Sequence, residues 1–181
     1  MAKVLIGLIL IISLVVGAVY YFNGSKLFSN NTTPIKAKIN ISSQAFLNGQ
    51  TIPSTFTCNS DNINPPLSFD RVPGDAKSLV LIVDDPDAST PAFNHWLVFN
   101  IDPNTTNIEQ GKIPNALEGT NDFGELKYMG PCPTGTHKYY FRVYALDTML
   151  SLNEGAKRLD IDAAMQDHIL AQGEFFGVYS H

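Results

Sequence analysis

Lys138-Tyr139-Tyr140-Phe141-Arg142-Val143-Tyr144-Ala145-Leu146 is the stretch that sets the fold class. Successive side chains of a strand point to opposite faces. Tyr139, Phe141, Val143 and Ala145 therefore share one face, and Lys138, Tyr140, Arg142 and Tyr144 the other. Similar signals recur outward from it. Lys36 to Ile41 alternates polar and apolar residues. Leu79 to Val83 (LVLIV) is a continuous apolar run, as in a strand covered on both faces, and Trp96 to Phe99 (WLVF) is another. Turn formers separate these runs: Asn64-Pro65-Pro66, Val72-Pro73-Gly74-Asp75 and Asp102-Pro103-Asn104. One late segment reads as a helix, capped by Asp160 or Asp162, with Ile161, Met165 and Ile169 at four-residue spacing and Gly173 at its end. A strand-like tail, Phe175 to Tyr179, follows. The expectation is a mainly β fold: an antiparallel β-sandwich with one or two peripheral C-terminal helices.

Composition agrees with a packed domain. Of 181 residues, 44% are hydrophobic and 16% charged, which is apolar enough to bury a core and excludes a disordered chain. The net charge of −5 argues against nucleic acid as a partner, because neutralising phosphates needs clustered Lys and Arg. Two cysteines are too few for a disulfide framework or an all-cysteine zinc site.

Val4 to Phe22 (VLIGLILIISLVVGAVYYF) contains no charged residue. At about 1.5 Å rise per residue it would cover the roughly 30 Å hydrocarbon core, so residues 1–22 are expected to form a transmembrane helix. Ala18-Val19-Tyr20 is a poor match to a small-residue cleavage site, which favours an uncleaved anchor over a signal peptide. Residues 23–34, rich in Gly, Ser, Asn and Thr, read as a polar tether. Residues 35–181 then form the domain, held to a membrane on its extracytoplasmic side.

Three segments carry chemistry. Asp84-Asp85-Pro86-Asp87 ends the LVLIV strand; Asp85 and Asp87, two apart, share a direction while the chain stays extended. His95-Trp96 opens the next strand, with His95 on the face of Leu97 and Phe99 and Trp96 on the opposite one. If the two strands are antiparallel neighbours, Asp85 and His95 lie on one rim of the sheet. The third segment, Gly130-Pro131-Cys132-Pro133-Thr134-Gly135-Thr136-His137, is a stiff loop leading into the 138–146 strand. Such a loop can offer bare backbone N–H groups to an anion, and His137 and Tyr139 face one way. An aspartate beside a histidine favours imidazolium. Two such histidines, loop amides and a tyrosine hydroxyl would hold phosphate, sulfate or carboxylate by charge-assisted hydrogen bonds.

In this order the segments resemble the phosphatidylethanolamine-binding protein family, also called Raf-kinase-inhibitor-like, and most of all its bacterial and archaeal branch. The resemblance rests on Phe56-Thr57-Cys58 with Asn64-Pro65-Pro66-Leu67, Asp85-Pro86-Asp87-Ala88, His95-Trp96, Gly130-Pro131-Cys132-Pro133 with Gly135 and His137, Tyr139 to Asp147, and Ala163 to Tyr179. It implies a β-sandwich with a small anion-accepting pocket at one end, lined by Asp85, His95, Gly130, Pro131, His137 and Tyr139. Two positions depart from the family pattern: Ser89 stands where proline usually follows Asp-Pro-Asp-Ala, and Lys138 where arginine commonly follows the loop histidine. Cys58 and Cys132 lie in two of the matching segments. They form either a disulfide or two small buried thiols, with the bridge favoured in an exported domain.

The function expected is non-enzymatic binding of a phosphate-bearing head group or another small anion, with no cofactor and no metal. The resemblance also permits a protein partner, as protease inhibitor or regulator of another enzyme. A metal-dependent hydrolase ranks last, since no H-E-x-x-H or G-x-S-x-G pattern is present.

Overall fold

Residues 37–88 and 91–181 are described by the computed structural model. The 138–146 alternation lies inside the longer strand Thr136–Leu146, which sits in the interior of a six-stranded sheet. In chain order the elements are β1 (Ala37–Lys38), β2 (Asn40–Ser42), a 3-10 turn (Ser54–Phe56), β3 (Leu67–Asp70), β4 (Ser78–Asp85), β5 (Phe93–Ile101), β6 (Asn107–Ile108), β7 (Leu117–Glu118), β8 (Thr136–Leu146), α1 (Arg158–Met165) and β9 (Ile169–Ser180). The large sheet runs β1-β9-β8-β4-β5-β7 and the small one β2-β3-β6. All pairings are antiparallel except β1, which lies parallel to β9.

Every residue of β4 is buried, because the large sheet is covered on both sides. Leu79, Leu81 and Val83 pack with Ile41, Leu67, Phe69 and Ile108 of the small sheet. Val80 and Ile82 pack with Ile161 and Met165 of α1. Full burial of such a side chain contributes about 1.5–3 kcal/mol, so the uninterrupted LVLIV run suits a strand with two apolar neighbours. Tyr139, Phe141, Val143 and Ala145 of β8 all join the inter-sheet core.

The expected fold class needs two corrections. First, the one α-helix among the described residues stops at Met165, earlier than its spacing predicts. Asp167 adopts a left-handed φ of 67°, which breaks the turn. Ile169 and Gly173, expected in the helix and at its end, belong instead to β9, which pairs along the whole of β8. Gly173 is required there by crowding: a Cβ would meet the Ile39 carbonyl oxygen at 2.0 Å. Of the two expected caps, Asp160 reaches back to the Lys157 N–H at 3.1 Å, whereas Asp162 pairs with Arg158. Second, no helix among the described residues is long and apolar enough to cross a membrane. The eight residues of α1 rise only about 12 Å, against a hydrocarbon core of about 30 Å. The stretch expected to span, Val4 to Phe22, and the tether after it lie outside the described residues.

A further difference concerns β5. Its register with β4 shifts between Val83, opposite Trp96, and Asp84, opposite Asn94, so His95 is an extra residue in the ladder. Such a bulge turns one side chain out of the regular alternation. Trp96 lies in the inter-sheet core while Leu97 and Phe99 face α1. His95 packs against Tyr139 of that same inter-sheet side, with ring centroids 5.2 Å apart. It therefore shares a side with Trp96, not with Leu97 and Phe99.

Candidate functional site

Because β4 is antiparallel to both β5 and β8, its C-terminal end meets their N-terminal ends. There a cavity of ≈ 310 Å³ opens, lined by Asp85, His95, His137 and Tyr139, with walls from Phe93, Phe123, Ala88, Cys132, Pro133 and Thr134. Four of the six expected ligand-binding residues are thus brought together.

Asp84 and Asp85 point to opposite sides of the sheet. Buried Asp84 faces α1, with Arg142 Nε at 3.1 Å and Arg158 Nη1 at 3.3 Å, and Arg142 also pairs with Glu174. Asp85 faces the cavity but is itself sealed, at 2% exposure. One oxygen accepts the N–H groups of Asp87 and Ala88, at 2.8 and 3.0 Å, which fixes the turn after β4. Its other oxygen lies 2.8 Å from His137 Nδ1. A carboxylate only accepts, so Nδ1 carries the proton and donates, and the ring is held with Nε2 as its remaining polar atom. Asp87 does not line the cavity: its carboxylate accepts the Lys138 N–H at 2.8 Å and ties the turn to β8.

His95 is oriented from the other side. Its Nδ1 donates to the Met129 carbonyl at 2.6 Å, and its own carbonyl accepts from Met129 N–H at 3.1 Å. Burial pushes its pKa below the usual histidine range; the Met129 carbonyl, Asp85, Asp122 and Asp84 pull upward without overcoming it. The expected pair of imidazolium ions is therefore revised: His95 is a neutral ring in an aromatic setting, 5.4 Å between centroids from both Phe93 and Phe123. Tyr139 stacks on His137 at 6.4 Å. Burial, together with the Asp85 carboxylate, pushes its phenol well up, so the hydroxyl keeps its proton.

Gly130 and Pro131, also expected as ligand contacts, lie behind the cavity wall. Gly130 has backbone on one side so close that a Cβ would sit 2.2 Å from the Phe56 carbonyl oxygen, and its N–H is taken by Asn62 Oδ1 at 2.7 Å. Pro131 accepts from Cys58 N–H at 3.1 Å. Their part is to press the loop onto the segment after the 3-10 turn. Cys58 and Cys132 form a disulfide between the same two segments, so the thiol alternative fails.

The organising asparagines gave no signal in the sequence. Asn121, buried in a loop, donates to the carbonyls of His95 and Lys127 and accepts the N–H groups of Phe123 and Glu125. It thereby sets both the Phe123 wall and the approach to Met129. Phe93 was legible in principle, two residues before His95 on the same strand.

The model of the phosphatidylethanolamine-binding protein family matches residues 42–180. The chain belongs to that family. A UPF0098 protein of Methanothermobacter thermautotrophicus is 47% identical over 148 residues, spanning 78% of this chain and 98% of the relative. One from Chlamydia trachomatis is 43% identical over 145 residues, spanning 77% and 97%. Among solved structures, a phosphatidylethanolamine-binding protein homologue from Chlamydia trachomatis superposes with a TM-score of 0.76 at 42% identity, covering 80% of this chain and 98% of that one. E. coli YbcL, described as a member of the mammalian family, gives 0.74 at 26% identity, covering 80% and 99%. The relatives place this phosphatidylethanolamine-binding protein family member with the bacterial and archaeal type.

Proposed function

We propose that the chain is a non-enzymatic binding protein whose cavity takes a phosphate-bearing group or a similar small anion. One observation carries the reading: His95, His137 and Tyr139 line one small open cavity, and both histidines are held by groups that are not themselves available to a ligand. Asp85 is committed to the turn and to His137, and Met129 to His95. The cavity's cysteine sulfur is tied up in the disulfide, so it offers no thiolate nucleophile. Such a site is built for orientation of a guest, because its polar side chains are fixed before the guest arrives.

Titration calorimetry of the full chain with inorganic phosphate and phosphoethanolamine tests this. Saturable binding of at least one, weakened tenfold or more by His137→Ala, is expected. Absence of heat with both ligands, or an unchanged affinity in the variant, would refute it.

A further inference from the structure

The arrangement around His95 bears on which anions fit, a selectivity that rests on the binding role proposed for the cavity. Nδ1 of His95 faces a carbonyl oxygen, which can only accept, so Nδ1 bears the hydrogen. The reciprocal bond from Met129 N–H to the His95 carbonyl, and the Asn121 amide on that same carbonyl, hold this geometry from two sides. Nε2 of the neutral ring is then a lone-pair acceptor. With Nδ1 turned to the Met129 backbone, Nε2 is the polar atom that the ring has left for the cavity that His95 lines.

Burial opposes charging this ring and outweighs the upward pull of Asp85, Asp122 and Asp84. Phe93 and Phe123 present it with ring contacts at 5.4 Å and Tyr139 at 5.2 Å. Of the nearby carboxylates, Asp85 is bonded to His137, Asp84 to the arginines on the far face, and Asp122 to Asn94. None forms a hydrogen bond with His95. A guest in this cavity thus meets an acceptor, His95 Nε2, while the Tyr139 hydroxyl is turned to the Asp85 carboxylate.

We propose that the site selects tetrahedral anions that carry a hydroxyl of their own, namely hydrogen phosphate or a phosphomonoester monoanion, over those without one. Sulfate has no proton to give at neutral pH. A phosphodiester has none either, so the preferred guest is a monoester or free phosphate and not the phosphodiester linkage of an intact phospholipid. A P–OH donating to Nε2 satisfies both partners, whereas an unprotonated oxygen facing that lone pair leaves two acceptors in contact, a penalty that buried sites convert into selectivity.

The test is calorimetry on the full chain at pH 6, near the second ionisation of a phosphomonoester at about 6. The probes are inorganic phosphate, methyl phosphate, dimethyl phosphate and sulfate at matched ionic strength, in two buffers of different ionisation enthalpy. Methyl phosphate is used because it lacks the ammonium of phosphoethanolamine, a second donor. Phosphate and methyl phosphate are expected to bind at least tenfold more tightly than sulfate and dimethyl phosphate. Nitrogen NMR of the phosphate complex should show His95 neutral with its proton on Nδ1. The ratio should fall towards one in His95→Phe, which keeps an aromatic ring but no acceptor. Equal affinities for phosphate and sulfate, or uptake of one proton from buffer on sulfate binding, overturn the selectivity while leaving the binding role intact. Binding of none of the four overturns the selectivity, and a further lack of heat with phosphoethanolamine removes the binding role as well. Because the calorimetry and NMR use the unaltered chain, the outcome does not depend on the variant folding.

Discussion

Removing the Cys58–Cys132 bridge separates two things a disulfide can do: constrain the unfolded chain, or hold the native pocket. The bond joins residues 74 apart in sequence with Cα atoms 5.5 Å apart. For a loop of that separation the chain-entropy model assigns about 4 kcal/mol at 25 °C. That is a large share of the roughly 5–15 kcal/mol typical of a domain. In the native state the same segments are also joined by Cys58 N–H to Pro131 O, Gly130 N–H to Asn62 Oδ1, and Tyr128 hydroxyl to Phe56 O, at 3.1, 2.7 and 2.9 Å. Three hydrogen bonds, each worth about 1 kcal/mol net, keep the loop in place once the protein is folded. The Cys58→Ser, Cys132→Ser double variant should therefore lose about 3–5 kcal/mol in urea unfolding, with a larger m-value because its unfolded chain is less compact. Its affinity for phosphate should change less than threefold. A stability loss below about 1 kcal/mol would sink the entropic account. A tenfold loss of affinity with native circular dichroism would show that the bridge shapes the pocket directly.

The packing sets three other outcomes. Asn121→Ala removes four hydrogen bonds from a buried loop and should destabilise by about 2–4 kcal/mol, read by thermal unfolding, with loss of phosphate affinity as Phe123 and Met129 shift; a change under about 0.5 kcal/mol contradicts the role given to it. Asp84→Asn leaves Arg142 and Arg158 facing each other without their shared carboxylate, at a cost of about 2–4 kcal/mol in urea unfolding; a neutral result means the arginines are satisfied by Glu174 and Asp162. His95 has a folded-state pKa below the unfolded value of 6.5, so the folded chain binds its proton less readily. Its contribution to stability is intact above pH 6.5 and is lost as pH falls from there through the folded pKa. Relative to wild type, His95→Gln should accordingly fare better at pH 5 than at pH 7.5 in paired urea titrations, and a pH-independent difference would contradict the depressed pKa.

The residues of β8 and β4 were legible because their periodicity is local: alternation at 138–146 and a continuous run at 79–83 record one or two apolar faces directly in the chain. Asp85, His95, His137 and Tyr139 were legible as a group because strand ends in antiparallel register must meet on one rim. The end of α1 was misread because Ile161, Met165 and Ile169 have helical spacing, but pairing along the length of β8 outweighs that local preference from Ile169 on.

By itself the sequence determined the strand-dominated character, the family and the four polar residues of the cavity. Tertiary structure decided what those residues can do. A one-residue bulge moved His95 to the other face of its strand, a carbonyl and burial fixed it as a neutral acceptor, and backbone contacts with the segment after the 3-10 turn hold Gly130 and Pro131 away from the cavity lining. Register shifts and desolvation depend on which distant backbone lies alongside, and no local pattern along the chain encodes that neighbour.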